Sequence, residues 1–237
     1  MIRSALEFIL NLKEAKIMDV NGGTYSDKNL HRIKKPTADG LRISTLTALV
    51  DYIKSGLAGK EKSSGQLLVH VAAPDTVTLL SELNVDCERD VYMECKALLP
   101  NNIQYSRFID VESFNIMLQS AFVDTYDTRL LLKSTGLITE KDVKETGDNG
   151  ISQSIVVKTG IAKVEEVEVP NPVTLAPYRT FPEIEQPESR FIFRMQSGPK
   201  AALYEADGGA WRNKAMEWIK KWLEEQLAGV DFIKIIS

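Results

Sequence analysis

One group of residues has the types and spacing of a metal-dependent nuclease site. Asp75 follows Pro74 just before one predicted strand, and Glu94 and Lys96 lie two positions apart on the next. Two carboxylates can hold Mg²⁺, and a lysine beside them can orient or activate the attacking water. The pattern therefore indicates a PD-(D/E)xK-like nuclease with Asp75, Glu94 and Lys96 in its site. Because so short a pattern arises often by chance, we keep this function as an alternative.

The cysteines and histidines do not have the spacing of a metal site or of a nucleophile with its base. Cys87 and Cys95 are the two cysteines of the chain, and neither His31 nor His70 is close to them in sequence. Zinc sites favour closely spaced thiol or imidazole pairs, and two thiols in a chain this long are typical of reduced cysteines. We therefore expect no metal and no cofactor.

The charge of the chain argues against a general nucleic-acid binder. It carries 29 Lys and Arg against 33 Asp and Glu, a formal net charge of -4, whereas affinity for phosphate backbones comes mostly from clustered basic residues. Nucleic acid is thus an unexpected partner. A single-strand nucleic-acid accessory is nevertheless a second alternative, and it would use the one basic cluster, which contains Lys28, Arg32, Lys34 and Lys35.

Hydrophobic periodicity and turn residues predict an α+β fold with mixed or mainly antiparallel sheet. N-terminal, central and C-terminal helices are predicted over residues 2–12, 45–57, 111–122, 125–134 and from 211 onward, with Ser44 and Asp110 as N-caps. Strands are predicted over residues 16–20, 67–71, 76–83, 91–97, 152–169, 191–195, 201–204 and 232–236. We expect a single domain over residues 1–237, with an N-terminal subdomain over residues 1–65 as the alternative.

Turn residues and prolines mark several connections. Asn-Gly pairs at 21–22 and 149–150 predict hairpin turns, because they supply positive φ angles. Five prolines between Pro170 and Pro187 exclude a helix there and predict an extended connection or an edge strand. The Gly208-Gly209 pair is typical of a turn that starts a helix, with Asp207 as its cap.

The C-terminal helix carries all three tryptophans of the chain. Trp211, Ala215, Trp218 and Trp222 follow one another at steps of four, three and four, so they share one helix face. A stripe of large aromatic residues usually buries apolar area. We therefore expect core packing here rather than a ligand platform.

Several short segments carry a resemblance to a known family. They are LLVHV (67–71), ECKAL (94–98), FNIML (114–118) and residues 181–195, and, for proteins from phages of Gram-positive bacteria, TGI (159–161), PNP (170–172), PYRTF (177–181) and GGAW (208–211). On these segments the chain resembles the family of uncharacterised bacteriophage and prophage proteins that includes the prophage protein YfdQ. The resemblance implies a phage origin and action inside an infected bacterium.

These observations together favour a non-enzymatic accessory protein. We expect it to bind a host or phage macromolecule, with interference in host defence as the leading interpretation. In a phage setting, the alternative of a single-strand nucleic-acid accessory predicts a role in phage recombination. No apolar run reaches the length of a membrane span, and the N-terminal helix has polar residues where a signal peptide would be apolar. The expected location is the cytoplasm of the host bacterium, without membrane contact, and a homo-oligomer is compatible with the sequence.

Overall fold

The structure is a computed structural model that describes residues 3, 15–29, 38–56, 66–84, 87–136, 143–148, 153–159, 162–169, 171–196 and 200–237. Helices combine with mixed and antiparallel sheets, which confirms the predicted α+β class. The chain divides into two compact units, Met1–Ala38 and Asp39–Ser237. The predicted helix over residues 2–12 and the alternative boundary near Gly65 lie outside the described residues, apart from Arg3 in the helix.

The first unit contains a β-hairpin. Strand β1 (Ile17–Val20) pairs antiparallel with β2 (Gly23–Ser26). Between them Asn21 and Gly22 have φ angles of 50° and 80°, the left-handed values that a two-residue hairpin turn requires. The predicted Asn-Gly turn is confirmed.

The second unit contains a five-stranded sheet. Its strands are β3 (Leu41–Ile43), β4 (Leu67–Ala73), β5 (Thr76–Leu80), β6 (Val91–Lys96) and β14 (Ile233–Ile236), in the order β14-β4-β5-β6-β3. The β4-β5-β6 meander is antiparallel, whereas β3 and β14 add to its two sides in parallel. Alternate residues of the meander are buried, so the sheet has one core face.

Two helices also pack into this first core. They are α1 (Leu46–Ser55) and α4 (Trp211–Gln226). Thr45, and not the predicted Ser44, is the N-cap of α1, and its Oγ1 accepts a hydrogen bond from the Ala48 amide at 3.3 Å. The first core includes Leu46, Leu49, Ile53, Val69, Val71, Val77, Leu79, Met93, Cys95, Ile219 and Leu223.

A second core lies under a four-stranded sheet. The sheet has the order β11-β12-β13-β7, from β7 (Ile109–Asp110), β11 (Val173–Leu175), β12 (Ser189–Gln196) and β13 (Lys200–Glu205). It packs with α2 (Val111–Ala121) and α3 (Tyr126–Gly136), and the rings of Phe114 and Phe193 are 5.7 Å apart. The proline-rich segment contributes an edge strand, as predicted.

Asp110 is the N-cap of α2, as the sequence predicts. Its Oδ1 accepts a hydrogen bond from the Ser113 amide at 2.8 Å, and this bond lowers the pKa of the carboxyl. A negative charge at this position also interacts favourably with the helix dipole. The start of α2 is therefore encoded locally.

A third, antiparallel sheet has the order β10-β9-β8. Its strands are β8 (Val143–Asp148), β9 (Gln153–Thr159) and β10 (Ala162–Val169). The predicted turn residues Asn149 and Gly150 lie outside the described part of the chain.

Among the described helices, none is both long and apolar enough to cross a bilayer.

Candidate functional site

The buried line of α4 does not consist of the tryptophans. Ala215, Ile219 and Leu223 are fully buried and follow one another at steps of four. Trp218 and Trp222 lie beside this line, pack against the first core and stay partly exposed. The expectation that the tryptophans form the core stripe is therefore only partly right, since each of these two also presents surface to solvent.

Trp218 and Trp222 form one wall of an open groove of about 230 Å³. Lys221 and Glu225 share their helix face, because residues three, four and seven apart lie together on a helix. A second wall is formed by Glu183–Glu185, from the proline-rich connection that follows β11. We call this feature the tryptophan groove, lined by Glu183, Ile184, Glu185, Trp218, Lys221, Trp222 and Glu225.

The tryptophan groove has an excess of negative charge. Glu183, Glu185 and Glu225 contribute three carboxylates against the single ammonium of Lys221, a formal charge of -2. Since groups lining a concave surface act together on a charged ligand, the groove favours cations over anions.

Glu183 holds one wall of the groove in place. Its Oε1 accepts hydrogen bonds from the Thr47 amide at 3.0 Å and from the Thr47 hydroxyl at 3.2 Å, in the first turn of α1. The other oxygen, Oε2, is buried and has no hydrogen-bond partner in the part of the chain that the structure describes. A buried acceptor without a donor is rare and costly. Glu183 thus has one satisfied and one unsatisfied oxygen.

The same carboxylate influences Cys95 on β6. Burial, with a smaller contribution from the charge of Glu183, raises the pKa of the Cys95 thiol to about 12. A thiol with this pKa is protonated at neutral pH, whereas metal ligation and nucleophilic attack require the thiolate. Cys87 is exposed, and both cysteines are free.

Two of the three nuclease-pattern residues share a surface. Glu94 and Lys96 lie on the face of β6 opposite the core, where Thr78 and Thr76 are their cross-strand neighbours. The Oε2 of Glu94 is 3.9 Å from the Nε of Arg42. Glu94 and Lys96 are therefore neighbours, as the sequence predicts.

Asp75 occupies the turn between β4 and β5. Its Oδ1 accepts a hydrogen bond from the Thr76 hydroxyl at 3.0 Å, and its backbone carbonyl accepts one from the Ala97 amide at 2.9 Å. This register places Asp75 opposite the buried Ala97, one position beyond the Thr76–Lys96 pair. Within the described residues, no three His, Cys, Asp or Glu side chains form a group that could hold a metal.

The basic cluster is described only at Lys28. This residue follows β2, is half-buried, and its amide donates a hydrogen bond to the Ser26 hydroxyl at 3.2 Å. Arg32, Lys34 and Lys35 lie in residues 30–37, outside the described residues. A basic surface formed by these residues stays a prediction.

Arg179 is a buried residue that the sequence did not single out for a role. It is 7% exposed, and its Nη2 donates hydrogen bonds to the Pro187 carbonyl at 3.0 Å and to the Ser189 hydroxyl. Its Nη1 lies 3.3 Å from Oε1 of Glu205. The PYRTF segment gave no signal of this burial, because the partners are set by the tertiary structure.

The guanidinium of Arg179 also holds the start of α4. Its central carbon lies 3.9 Å from the centre of the Trp211 ring. Just before the helix, Oδ1 of Asp207 accepts a hydrogen bond from the Gly209 amide at 3.0 Å, and Gly209 has a φ of +82°. The predicted helix-start turn is confirmed, but the predicted cap is wrong: Ala210, and not Asp207, is the N-cap of α4, and it makes no side-chain cap hydrogen bond. Arg179 therefore helps to fix the helix that carries the tryptophan groove.

Comparison of the chain with models of protein families, with curated proteins and with solved structures gave no match. The inferences that follow therefore rest on the residues and their geometry.

Proposed function

We propose that the protein is a non-enzymatic phage accessory protein that binds a host or phage macromolecule in the cytoplasm of the infected bacterium. Interference with host defence is the biological role that we propose for this binding. The phage setting comes from the sequence resemblance. The observation that carries the binding role is the tryptophan groove, with two partly exposed tryptophans between charged side chains.

Large aromatic residues at a surface are typical of interaction sites. Tryptophan is enriched among the residues that dominate binding energy, and such residues are commonly surrounded by polar groups that exclude water. Trp218 and Trp222 are anchored by packing against the first core, so they are preorganised. A partner that covers them would gain apolar burial at a small cost in side-chain entropy. This arrangement supports a protein partner.

The test compares capture by the wild-type protein and by two matched variants. Trp222→Ala removes one of the two tryptophans of the groove, whereas Ile116→Ala removes an apolar side chain that is 56% exposed on α2. We expect a macromolecule from infected cells to be retained by the wild type and by Ile116→Ala, and to be lost with Trp222→Ala. Circular dichroism would check that both variants are folded. Retention of every captured macromolecule by folded Trp222→Ala would contradict the proposal.

A further inference from the structure

We propose that the tryptophan groove binds an arginine side chain in a basic peptide segment of another protein. This inference rests on the proposed binding function and names the chemistry of the partner. Trp222, Glu185 and Glu225 supply the two requirements for recognising a guanidinium, which are an aromatic face and carboxylate acceptors.

The protein already contains one such arrangement inside its fold. The guanidinium of Arg179 stacks 3.9 Å from the Trp211 ring and lies 3.3 Å from a Glu205 carboxylate oxygen. A tryptophan ring beside glutamate oxygens is thus a combination that this fold uses for arginine. The tryptophan groove likewise contains a tryptophan ring and glutamate carboxylates.

Among the described side chains, Trp222 is the tryptophan with no cation over its ring. Arg179 and Arg212 lie over Trp211, and the Nζ of Lys214 is 4.5 Å from the centre of the Trp218 ring. Trp222 is partly exposed in the groove. Its ring is therefore available to a cation from outside.

Glu185 and Glu225 supply the carboxylate acceptors, since both side chains are exposed in the groove. Glu183 contributes charge rather than a hydrogen bond, because its Oε1 is held by Thr47 and its Oε2 is buried. A guanidinium carries five N–H donors in a planar fork, so it can stack on a ring and donate to a carboxylate at once. Lysine has a compact, strongly hydrated charge and stacks less well. This difference favours arginine.

The size and charge of the groove restrict the ligand further. Its volume of about 230 Å³ is below the roughly 300–1,000 Å³ of typical small-molecule sites, which suits one side chain of a peptide. The formal charge of -2 disfavours phosphate groups, so a nucleic acid is the wrong partner for this surface.

The test uses the full chain and the capped peptide acetyl-Gly-Arg-Ala-Arg-Gly-amide, with binding followed by tryptophan fluorescence and calorimetry. The control peptide replaces each arginine with citrulline, which keeps the shape and removes the charge. We expect the arginine peptide to bind about tenfold more tightly than the citrulline peptide, because an exposed cation–π contact and two exposed ion pairs contribute together. Equal affinities, or no binding of the arginine peptide at 10 mM, would overturn the inference.

Two double variants of equal net charge distinguish binding in the groove from attraction by the overall negative charge of the protein. Glu185→Gln with Glu225→Gln removes two exposed groove carboxylates, whereas Glu217→Gln with Glu224→Gln removes two exposed carboxylates of α4 outside it. We expect the first pair to weaken the arginine peptide about tenfold and the second to leave its affinity within twofold. Equal losses in both would overturn a specific site. Partner capture that depends on Trp222, together with no preference for arginine, would refute this inference and leave the proposed function intact.

Discussion

Replacing Arg179 with methionine should destabilise the protein by about 3 kcal/mol. The change leaves the buried Pro187 carbonyl and Ser189 hydroxyl without their donor, at about 1–3 kcal/mol for each unsatisfied group. Loss of the contact with the Trp211 ring adds up to about 2 kcal/mol. The side chain of Glu205 is 32% exposed, so solvent reduces what its ion pair contributes.

The substitution also removes the cost of burying the charge of Arg179, and this gain opposes the losses. The Nε of Arg179 is buried without a partner in the described residues, and burial lowers the pKa of this guanidinium. Replacement of buried ion pairs by apolar side chains is often neutral or stabilising when both partners are replaced. Here only Arg179 of the ion pair with Glu205 is replaced, and the Pro187 carbonyl and the Ser189 hydroxyl lose their donor. We therefore expect the lost contacts to outweigh the gain from no longer burying a charge.

The assay is thermal and urea unfolding of the wild type, Arg179→Met and the control Glu205→Gln. A loss of about 3 kcal/mol corresponds to a Tm lower by about 6–12 °C in a chain of this size. Glu205→Gln should cost less than about 1 kcal/mol, because the carboxylate is partly solvated. A Tm for Arg179→Met equal to or above that of the wild type would refute this reasoning and show that desolvation of the charge outweighs its contacts.

Four further outcomes are expected. In the native protein a thiol reagent at pH 8 should modify the exposed Cys87 rapidly and Cys95 only on unfolding; rapid reaction of both would contradict the burial of Cys95. Because the folded-state pKa of the Cys95 thiol is raised to about 12, the unfolded chain releases this proton first, and stability should fall as the pH rises from about 9 to 12, less so in Cys95→Val. DNA and RNA should stay intact with Mg²⁺ or Mn²⁺, and cleavage that disappears in both Asp75→Ala and Glu94→Ala would establish the nuclease alternative. Single strands should bind no more tightly than about 10⁻⁴–10⁻⁶ M near physiological salt, and submicromolar affinity lost on reversing the charges of the basic cluster would favour the recombination accessory.

Features that depend on a few neighbouring residues could be predicted from the sequence. The Asn21-Gly22 turn follows from the φ angles that these residues accept, and the Asp110 cap follows from a hydrogen bond to an amide three residues later. The α1 cap was misplaced by one position, because Ser44 and Thr45 both offer a hydroxyl and only the backbone decides between them.

The tryptophan groove and the contacts that hold it in place could be identified only from the tertiary structure. Periodicity placed the tryptophans on one helix face, but their exposure depends on Ala215, Ile219 and Leu223 filling the core instead. Glu183 contacts Thr47 across 136 positions of sequence, and no spacing rule connects such residues. The role of Arg179 likewise depends on Trp211 and Glu205, which other elements bring to it. Local patterns specify turns, caps and helix faces, whereas which side chains meet, and which stay exposed, is set by packing between distant segments.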